Sequence, residues 1–336
     1  MDEDRDMSDE QRDEAPEQRD GPPERDPDSR EREGEGFRAG FATFVGRPNV
    51  GKSTLMNALV GEKIAITSPK PQTTRRAVRG IVHRPGGQLV IVDTPGMHRP
   101  RTLLGERLND LVHSTLSDVD VIGFCIPADE PIGPGDRFIC EQLEEAPRAR
   151  KVALVTKAET VPKSVVGDQL LAVSQLREWD AIIPVSALAG IHLETLVDEL
   201  LGLVPLSPPL YPEEMLTEES FEQRAAELVR EAALDGVRDE LPHSIAVTIE
   251  DVVERDDAEE SPTGEPTREI YANLVVERES QKGIVIGHGG QRLREVRIRA
   301  QKEIQAISKG RIILSLHVKV AKEWQRDPKQ LGRLGF

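Results

Sequence analysis

Eight consecutive residues, Gly46-Arg47-Pro48-Asn49-Val50-Gly51-Lys52-Ser53, carry the most chemistry in this chain. The glycines let the backbone curl with its N–H groups pointing inward around a chain of phosphates. Lys52 offers a cation to the outer phosphates, and Ser53 offers a hydroxyl to Mg²⁺. The apolar run Phe41–Val45 before the loop reads as a strand, and Thr54–Val60 after it as a helix whose N-terminus faces the anion. Further on, Asp93-Thr94-Pro95-Gly96 closes the strand-like run Gln88–Val92. An aspartate there can hold Mg²⁺ through its water shell, and the Gly96 N–H can sense a terminal phosphate. Thr73 and Thr74 lie between these motifs, in Ser-Pro-Lys-Pro-Gln-Thr-Thr-Arg-Arg. A hydroxyl there, preferably that of Thr74, could complete the Mg²⁺ shell and order the loop around a third phosphate. An ordinary polar loop is the alternative.

A second constellation lies near the C-terminus. Gly287-His288-Gly289-Gly290 sits between two helical stretches, where small residues let single-stranded RNA approach the backbone and bases enter an adjacent apolar groove. Arg292, Arg294, Arg297, Arg299 and Lys302 follow, and each one that faces solvent can neutralise a phosphate. The bland reading is a helix–helix turn beside a solvated basic face.

These residues need elements to hold them. Ala77–His83, Gln88–Val92, Val121–Ile126, Val152–Val155 and Ala181–Val185 read as short buried strands. Leu104–Leu116, Gly135–Leu143, Ser164–Glu178 and His192–Leu203 have helical spacing. Such alternation predicts a doubly wound α/β sheet, mostly parallel, with its chemistry at the carboxyl ends of the strands. The proline-dense Val204–Pro212 reads as an extended linker. Beyond it the spacing predicts a long helix over Thr217–Leu241, strands at Ser244–Glu254 and Arg268–Val276, the two helices around Gly287, and a last strand at Arg311–Val320. The expected division is an acidic tail, 1–36, a nucleotide domain, 37–204, a linker, 205–216, and a smaller α+β domain, 217–336.

Charge supports the division. The net charge of −16 averages an N-terminal segment of about −10 over residues 1–36 and a C-terminal stretch of about +9 from residue 280 onward. The first has the composition of a disordered tail; the second is suited to a polyanion. No apolar run approaches the ~18–20 residues that span a bilayer, and no apolar core marks a signal peptide, so a cytoplasmic location is expected. Cys125 and Cys140 lack metal or redox spacing and read as free thiols. Scattered acidic pairs read as solvated surface.

Two more segments sharpen the reading. Thr156-Lys157-Ala158-Glu159 follows one strand and Ser186-Ala187 follows the next, which resembles the base-reading segments of guanine nucleotide-binding proteins. From residue 37 onward, the order of motifs, with Gln-Thr-Thr-Arg-Arg and Asp-Thr-Pro-Gly-Met-His, resembles the Era family of GTPases. The turn at Gly287 and its helix-strand-strand-helix-helix-strand setting are similar to the type II KH domain that ends those proteins. The resemblance implies GTP and GDP with Mg²⁺ as ligands. It implies hydrolysis resting on Lys52, Thr74, Gly96 and Asn49, with metal contacts from Ser53, Thr74 and Asp93. It implies RNA contacts at Gly287, His288, Gly289, Gly290, Arg292, Arg294 and Lys302. The implied partner is small-subunit ribosomal RNA near its 3′ end, in small-subunit maturation, with a peripheral contact to the inner face of the cell membrane. Nothing points to DNA, and a monomer is expected. Lys322, Trp324, Lys329 and Arg333 match the family's ending; Trp324 could stack on a base, but packing inside the protein is favoured.

Three departures stand out. Glu159 replaces the expected aspartate, moving the carboxylate by roughly 1.5 Å and weakening a two-point hydrogen bond to guanine. Met97 occupies the position where Ras-like proteins place a water-orienting glutamine, so slow intrinsic hydrolysis is expected. Related families with this phosphate loop use the asparagine to bind K⁺, so Asn49 could do the same; it could equally bond only within the loop. In the turn, His288 stands where lysine is commoner, and a neutral imidazole attracts phosphate less than an ammonium does; equally, the turn could contact RNA through its backbone alone. The competing reading is an RNA-binding adaptor with a weakened, barely catalytic nucleotide site.

Overall fold

A computed structural model describes residues 36–336 apart from 69, 71–72, 97–101, 238–240 and 259–263. The acidic stretch 1–35, Met97 and the middle of Arg255–Pro266, which its Pro and Gly mark as a polar hairpin in the sequence, lie outside the described residues.

The first half runs β1 (Arg38–Val45), α1 (Lys52–Val60), β2 (Val78–Arg84), β3 (Gly87–Asp93), α2 (Leu103–Asp118), β4 (Val121–Pro127), α3 (Pro134–Gln142), β5 (Arg150–Thr156), α4 (Lys163–Ser174), β6 (Ala181–Pro184) and α5 (Leu193–Leu203). The strands form one sheet in the order β2-β3-β1-β4-β5-β6. All neighbours are parallel except β2, which folds back antiparallel onto β3. Every residue of β3 and β4 is buried, because helices cover both faces. α1 and α5 pack Leu55, Met56, Leu196 and Leu200 on one side. α2, α3 and α4 pack Val112, Ile139, Val166 and Val173 on the other. Each such side chain contributes about 1.5–3 kcal/mol by leaving water. The strand order reverses at β1, which opens a crevice beyond its carboxyl end. Register places Phe44 beside Asp93 and Val45 beside Phe124, so the loop after β1 emerges next to Asp93.

The second half runs α6 (Phe221–Leu234), α7 (Leu241–Ser244), β7 (Ala246–Glu254), β8 (Arg268–Val276), α8 (Glu279–Ile286), α9 (Gln291–Ala306), β9 (Ile312–Val320) and α10 (Pro328–Leu334). β7 and β8 pair antiparallel, β8 and β9 parallel. The helix expected over Thr217–Leu241 is shorter at both ends. Thr217 instead forms a β-bridge with Gly80 and donates its hydroxyl to the Arg79 carbonyl at 2.7 Å. Ser220 then starts the helix through a reciprocal capping box with Gln223. Gly236, at φ 69°, lies just past its end at Leu234.

The proline-dense stretch is extended as read, yet it is strapped to the first half. The Ala39 N–H donates to the Pro205 carbonyl, and Gln88 Oε1 accepts from the Leu210 and Tyr211 N–H groups at 2.7 and 2.9 Å. The Ile81 N–H of edge strand β2 donates to the Leu216 carbonyl at 2.9 Å. An edge strand exposes unpaired backbone groups, and an extended segment satisfies them. The halves also share an apolar cluster in which Leu104 and Leu108 of α2 meet Trp324, Leu331 and Leu334. Trp324 is fully buried there, stacks on Phe336 and donates its indole N–H to the Ser244 carbonyl at 3.1 Å.

Candidate nucleotide site and nucleic-acid interface

The phosphate loop bridges β1 and α1. Gly46 is required because a Cβ there would stand 2.6 Å from the Cys125 carbonyl. Gly51, at φ 100°, turns the chain into α1, and no side chain caps that helix, so its first N–H groups face the loop. Lys52 is buried, and its Nζ donates to the Gly46 and Arg47 carbonyls at 3.2 and 3.1 Å. Burial lowers its pKa, while the Asp93 carboxylate opposes that shift. Gly96 lies across the loop; a Cβ on it would be 3.2 Å from the Pro48 nitrogen and 3.4 Å from Lys52 Nζ. Pro48, Gly51, Lys52 and Gly96 line a cavity of about 430 Å³, together with Asn49, Ser53, Thr54 and Thr74.

At one side of that cavity, Ser53, Thr74 and Asp93 converge. Ser53 Oγ donates to Asp93 Oδ2 at 2.7 Å and lies 3.1 Å from Thr74 Oγ1, which donates to the same Oδ2 at 2.9 Å. Asp93 is wholly buried, and among the described residues its Oδ1 has no hydrogen-bond partner. Burial raises its carboxyl pKa, against the pull of Ser53, Lys52 and Thr74. Two hydroxyls around a buried, under-bonded carboxylate are hard oxygen donors that suit Mg²⁺ with part of its water shell. Thr94, also buried, lies beside this group, and Pro95 leads from it to Gly96.

The two segments expected to read a base follow β5 and β6. Thr156 Oγ1 donates to the Val50 carbonyl at 2.7 Å, which ties this segment to the phosphate loop. Lys157 takes φ 56° and its Nζ lies 3.6 Å from Asp129. Glu159 is exposed on a single turn of 3₁₀ helix. Ser186 accepts the Ala189 N–H on its Oγ at 2.9 Å, and the Ala158 N–H donates to the Val185 carbonyl. A second cavity of about 200 Å³ opens between them, lined by Asn49, Thr156, Lys157, Glu159, Ala187 and Leu188 among others.

Sequence reading missed the support for Arg47. Its Nε donates to Asp136 at 2.7 Å and a terminal nitrogen pairs with Glu130 at 2.9 Å. Asp136, buried at the start of α3, also accepts the Gly133 N–H, and its hydrogen bond to Arg47 is the main reason that guanidinium's pKa rises. A lone aspartate in Gly-Pro-Gly-Asp reads as a helix start, so only proximity reveals this role. Arg75 belongs to the Gln-Thr-Thr-Arg-Arg motif, but the motif does not say what its side chain touches, and nothing in the sequence sets Arg230 apart from other arginines.

In the second half, Gly287 packs so tightly that a Cβ would stand 2.7 Å from Arg292 Cβ, whereas Gly289 and Gly290 have open space around them. His288 is exposed, and Gly290, at φ 78°, precedes α9. Arg292 turns inward and donates to the Asp235 carbonyl at 2.7 Å, closing the end of α6. Arg299 pairs with the Asp235 side chain, and Arg297 reaches Gln301 at 3.4 Å. Arg294 and Lys302 are exposed.

A phosphate loop on a sheet with β1 at the reversal of strand order, followed by base-reading segments and a KH-type three-stranded module, defines a two-part P-loop GTPase. Family profiles agree: one described as "50S ribosome-binding GTPase" matches residues 41–157, and a KH domain profile matches 240–325. The chain is 68% identical over 301 residues to the GTPase Era of Leifsonia xyli, covering 89% of this chain and 99% of that protein. It is 57% identical over 304 residues to GTPase Era of Streptomyces coelicolor, at 89% and 95% coverage. A crystal structure of Era in complex with MgGDPNP and nucleotides 1506–1542 of 16S ribosomal RNA superposes with TM-score 0.83 at 35% identity, covering 89% of this chain and 99% of that one. A single-site variant of Aquifex aeolicus Era bound to GDP.AlF4⁻ also gives 0.83, at 36% identity and the same coverage. The chain belongs to the Era family of GTPases, and GTP hydrolysis is its reaction.

Proposed function

We propose that this chain is a GTP-hydrolysing switch that grips small-subunit ribosomal RNA near its 3′ end and assists small-subunit maturation in the cytoplasm. The observation that carries the reading is the convergence of Ser53, Thr74 and Asp93 beside the phosphate loop, in a chain that also presents an open glycine turn with exposed Arg294 and Lys302. The relative bound to MgGDPNP and 16S ribosomal RNA supports both halves. In this reading the 37–204 domain binds GTP or GDP. Loop N–H groups of 46–54 and Lys52 hold the phosphates, and Ser53, Thr74 and Asp93 hold Mg²⁺, which neutralises charge on the outer phosphates. The Thr94–Gly96 turn senses the terminal one. Thr156, Lys157, Glu159, Ser186 and Ala187 face the base. The 217–336 domain takes RNA at Gly287–Gly290.

Asn49, at φ 66° over both cavities, is placed to help a K⁺ beside the phosphates. Hydrolysis should therefore run faster in K⁺ than in Na⁺; equal rates would remove the ion from the scheme. The main test measures GTP hydrolysis with and without the 3′ segment of small-subunit RNA in potassium buffer. Turnover that responds to this RNA is expected, and turnover indifferent to it overturns the switch reading. The exposed Glu159 favours a second reading, an RNA-binding adaptor that turns over little nucleotide. A Lys52→Ala chain that sustains full function in cells would establish it. Among the described residues no helix is long and apolar enough to cross a membrane. The peripheral contact implied by the resemblance is tested by flotation with anionic vesicles.

A further inference from the structure

Thr74 does not reach the metal site on its own. Residues on both sides of it, Lys63, Ile66, Thr67, Thr73, Arg75 and Arg76, contact the C-terminal half. Lys63 pairs with Glu231 and Glu303 at 2.6 and 3.0 Å, and Ile66 is buried in the core of the C-terminal half. The Thr67 N–H donates to Glu231 at 2.9 Å. The grip is tightest around Thr74 itself. On its N-terminal side the Thr73 carbonyl accepts from the guanidinium of buried Arg230, which Glu227 holds through its Nε at 3.0 Å. On its C-terminal side Arg75 plunges into the second half, 3% exposed. It donates to the carbonyls of Pro242, His243 and Ile245 at 3.0, 2.9 and 2.7 Å, and lies 5.9 Å from the Trp324 ring. Arg76 continues the contact, donating to the Leu334 carbonyl at 2.8 Å.

We propose that Arg75 and Arg230 are positioning residues for GTP hydrolysis: by tying the residues on both sides of Thr74 to the C-terminal half, they hold its hydroxyl beside Asp93 and Ser53. The inference rests on Thr74 being a Mg²⁺ contact. Adjacent Cα atoms are only ~3.8 Å apart, so anchors on both neighbours leave Thr74 little freedom to swing. A loop that must meet a metal and a third phosphate otherwise loses much entropy on ordering, and misplacement by about 1 Å can cost two orders of magnitude in rate. The C-terminal half meets part of that ordering cost before nucleotide arrives. Guanidinium suits the task, because its fork of donors reaches the Pro242, His243 and Ile245 carbonyls at once.

Such residues act on the triphosphate state and leave the diphosphate untouched, since Thr74 is needed only when the third phosphate is present. The experiment uses the full chain and measures GDP affinity, affinity for a non-hydrolysable GTP analogue with Mg²⁺, and kcat. It compares Arg75→Ala, Arg75→Lys, Arg230→Ala and Thr74→Ala with Arg107→Ala. Arg107 of α2 donates to the Phe336 carbonyl at 2.6 Å and so spans the same interface without touching the Thr74 segment. Expected for Arg75→Ala and Arg230→Ala are GDP affinity within about twofold of the parent, with analogue affinity and kcat down about tenfold or more. Arg75→Lys, which keeps the charge but offers one donor point, should fall between, and it stands in if the alanine variant does not fold. Arg107→Ala should leave all three values near the parent. Parent-like analogue affinity and kcat in the Arg75 and Arg230 variants, beside an impaired Thr74→Ala, overturn the positioning role alone. Equal losses for GDP and analogue also overturn it, as general damage. A silent Thr74→Ala overturns the metal reading and this inference with it.

Discussion

The phosphate loop and the turn at Gly287 are built from one local device and end as opposite kinds of site. In each, a glycine in the left-handed region, Gly51 at φ 100° or Gly290 at φ 78°, delivers the chain into a helix with no side-chain cap. In each, one glycine is forced by a close neighbour: Gly46 by the Cys125 carbonyl, Gly287 by Arg292. The difference lies in the walls. Around the first turn stand the buried Asp93 and Lys52, with Gly96 across the top, and the result is a cleft of about 430 Å³ with the buried Lys52 in its wall. A Cβ added at Gly289 or Gly290 would meet nothing within 4 Å, and Arg294 and Lys302 stand in solvent. Helix N-terminus and glycine supply attraction for an anion in both places. A cleft backed by buried charge suits a compact, metal-bound triphosphate; an exposed turn suits a polynucleotide backbone.

The largest test of that contrast removes the buried cation. Lys52→Ala should weaken GTP affinity by about 100-fold or more, because a buried charge facing phosphate is worth far more than an exposed one. RNA affinity should be unchanged; calorimetry with each ligand checks both. The reverse experiment is Gly289→Asp, which puts an anion and a strained φ of 56° in the open turn. RNA affinity should fall about tenfold with GDP affinity intact, and RNA titrations show it. If either substitution damaged both ligands, the two turns would not be independent sites. Glu159→Asp sharpens the nucleotide side alone: shortening the carboxylate should raise GDP affinity by up to about tenfold and increase the preference for GDP over ADP, read by competition.

A smaller effect concerns the wall between the halves. Burial pushes the Glu227 carboxyl up, but Arg230, with Arg76 and Arg75, outweighs it and holds the pKa below the ordinary 4.5. A depressed carboxyl stabilises the fold above its unfolded pKa and loses that contribution as pH falls through the lower, folded value. Glu227→Gln should thus lower Tm by a few degrees at pH 7, roughly the effect of 1 kcal/mol, and the gap to the parent should close below pH 4.5. A pH-independent gap would assign the loss to packing.

Much of this was legible in the chain. Apolar runs bounded by turns placed the strands, since burial on both faces leaves little freedom in residue choice. Gly46–Ser53 and Asp93–Gly96 declared the nucleotide site because phosphate and metal impose residue types at fixed spacing. The helix start at Ser220 was missed by a few residues because Thr217 is claimed by β2, where its hydroxyl bonds a carbonyl 138 positions away in sequence. Arg292 read like its neighbours in α9, and only the nearby end of α6 turns it inward.

Sequence alone determined the two glycine turns, the candidate residues for phosphate and metal, and the order of strands and helices. Those are local matters of backbone freedom, side-chain chemistry and periodicity. Tertiary structure decided that the linker is strapped to the sheet edge, that Trp324 is interior, and that Arg75 and Arg230 grip the neighbours of Thr74 from the other half. Those outcomes depend on which distant carbonyls and carboxylates arrive beside a guanidinium or an edge strand. A hydrogen bond leaves no periodic mark in the chain, so only the packed molecule reveals it.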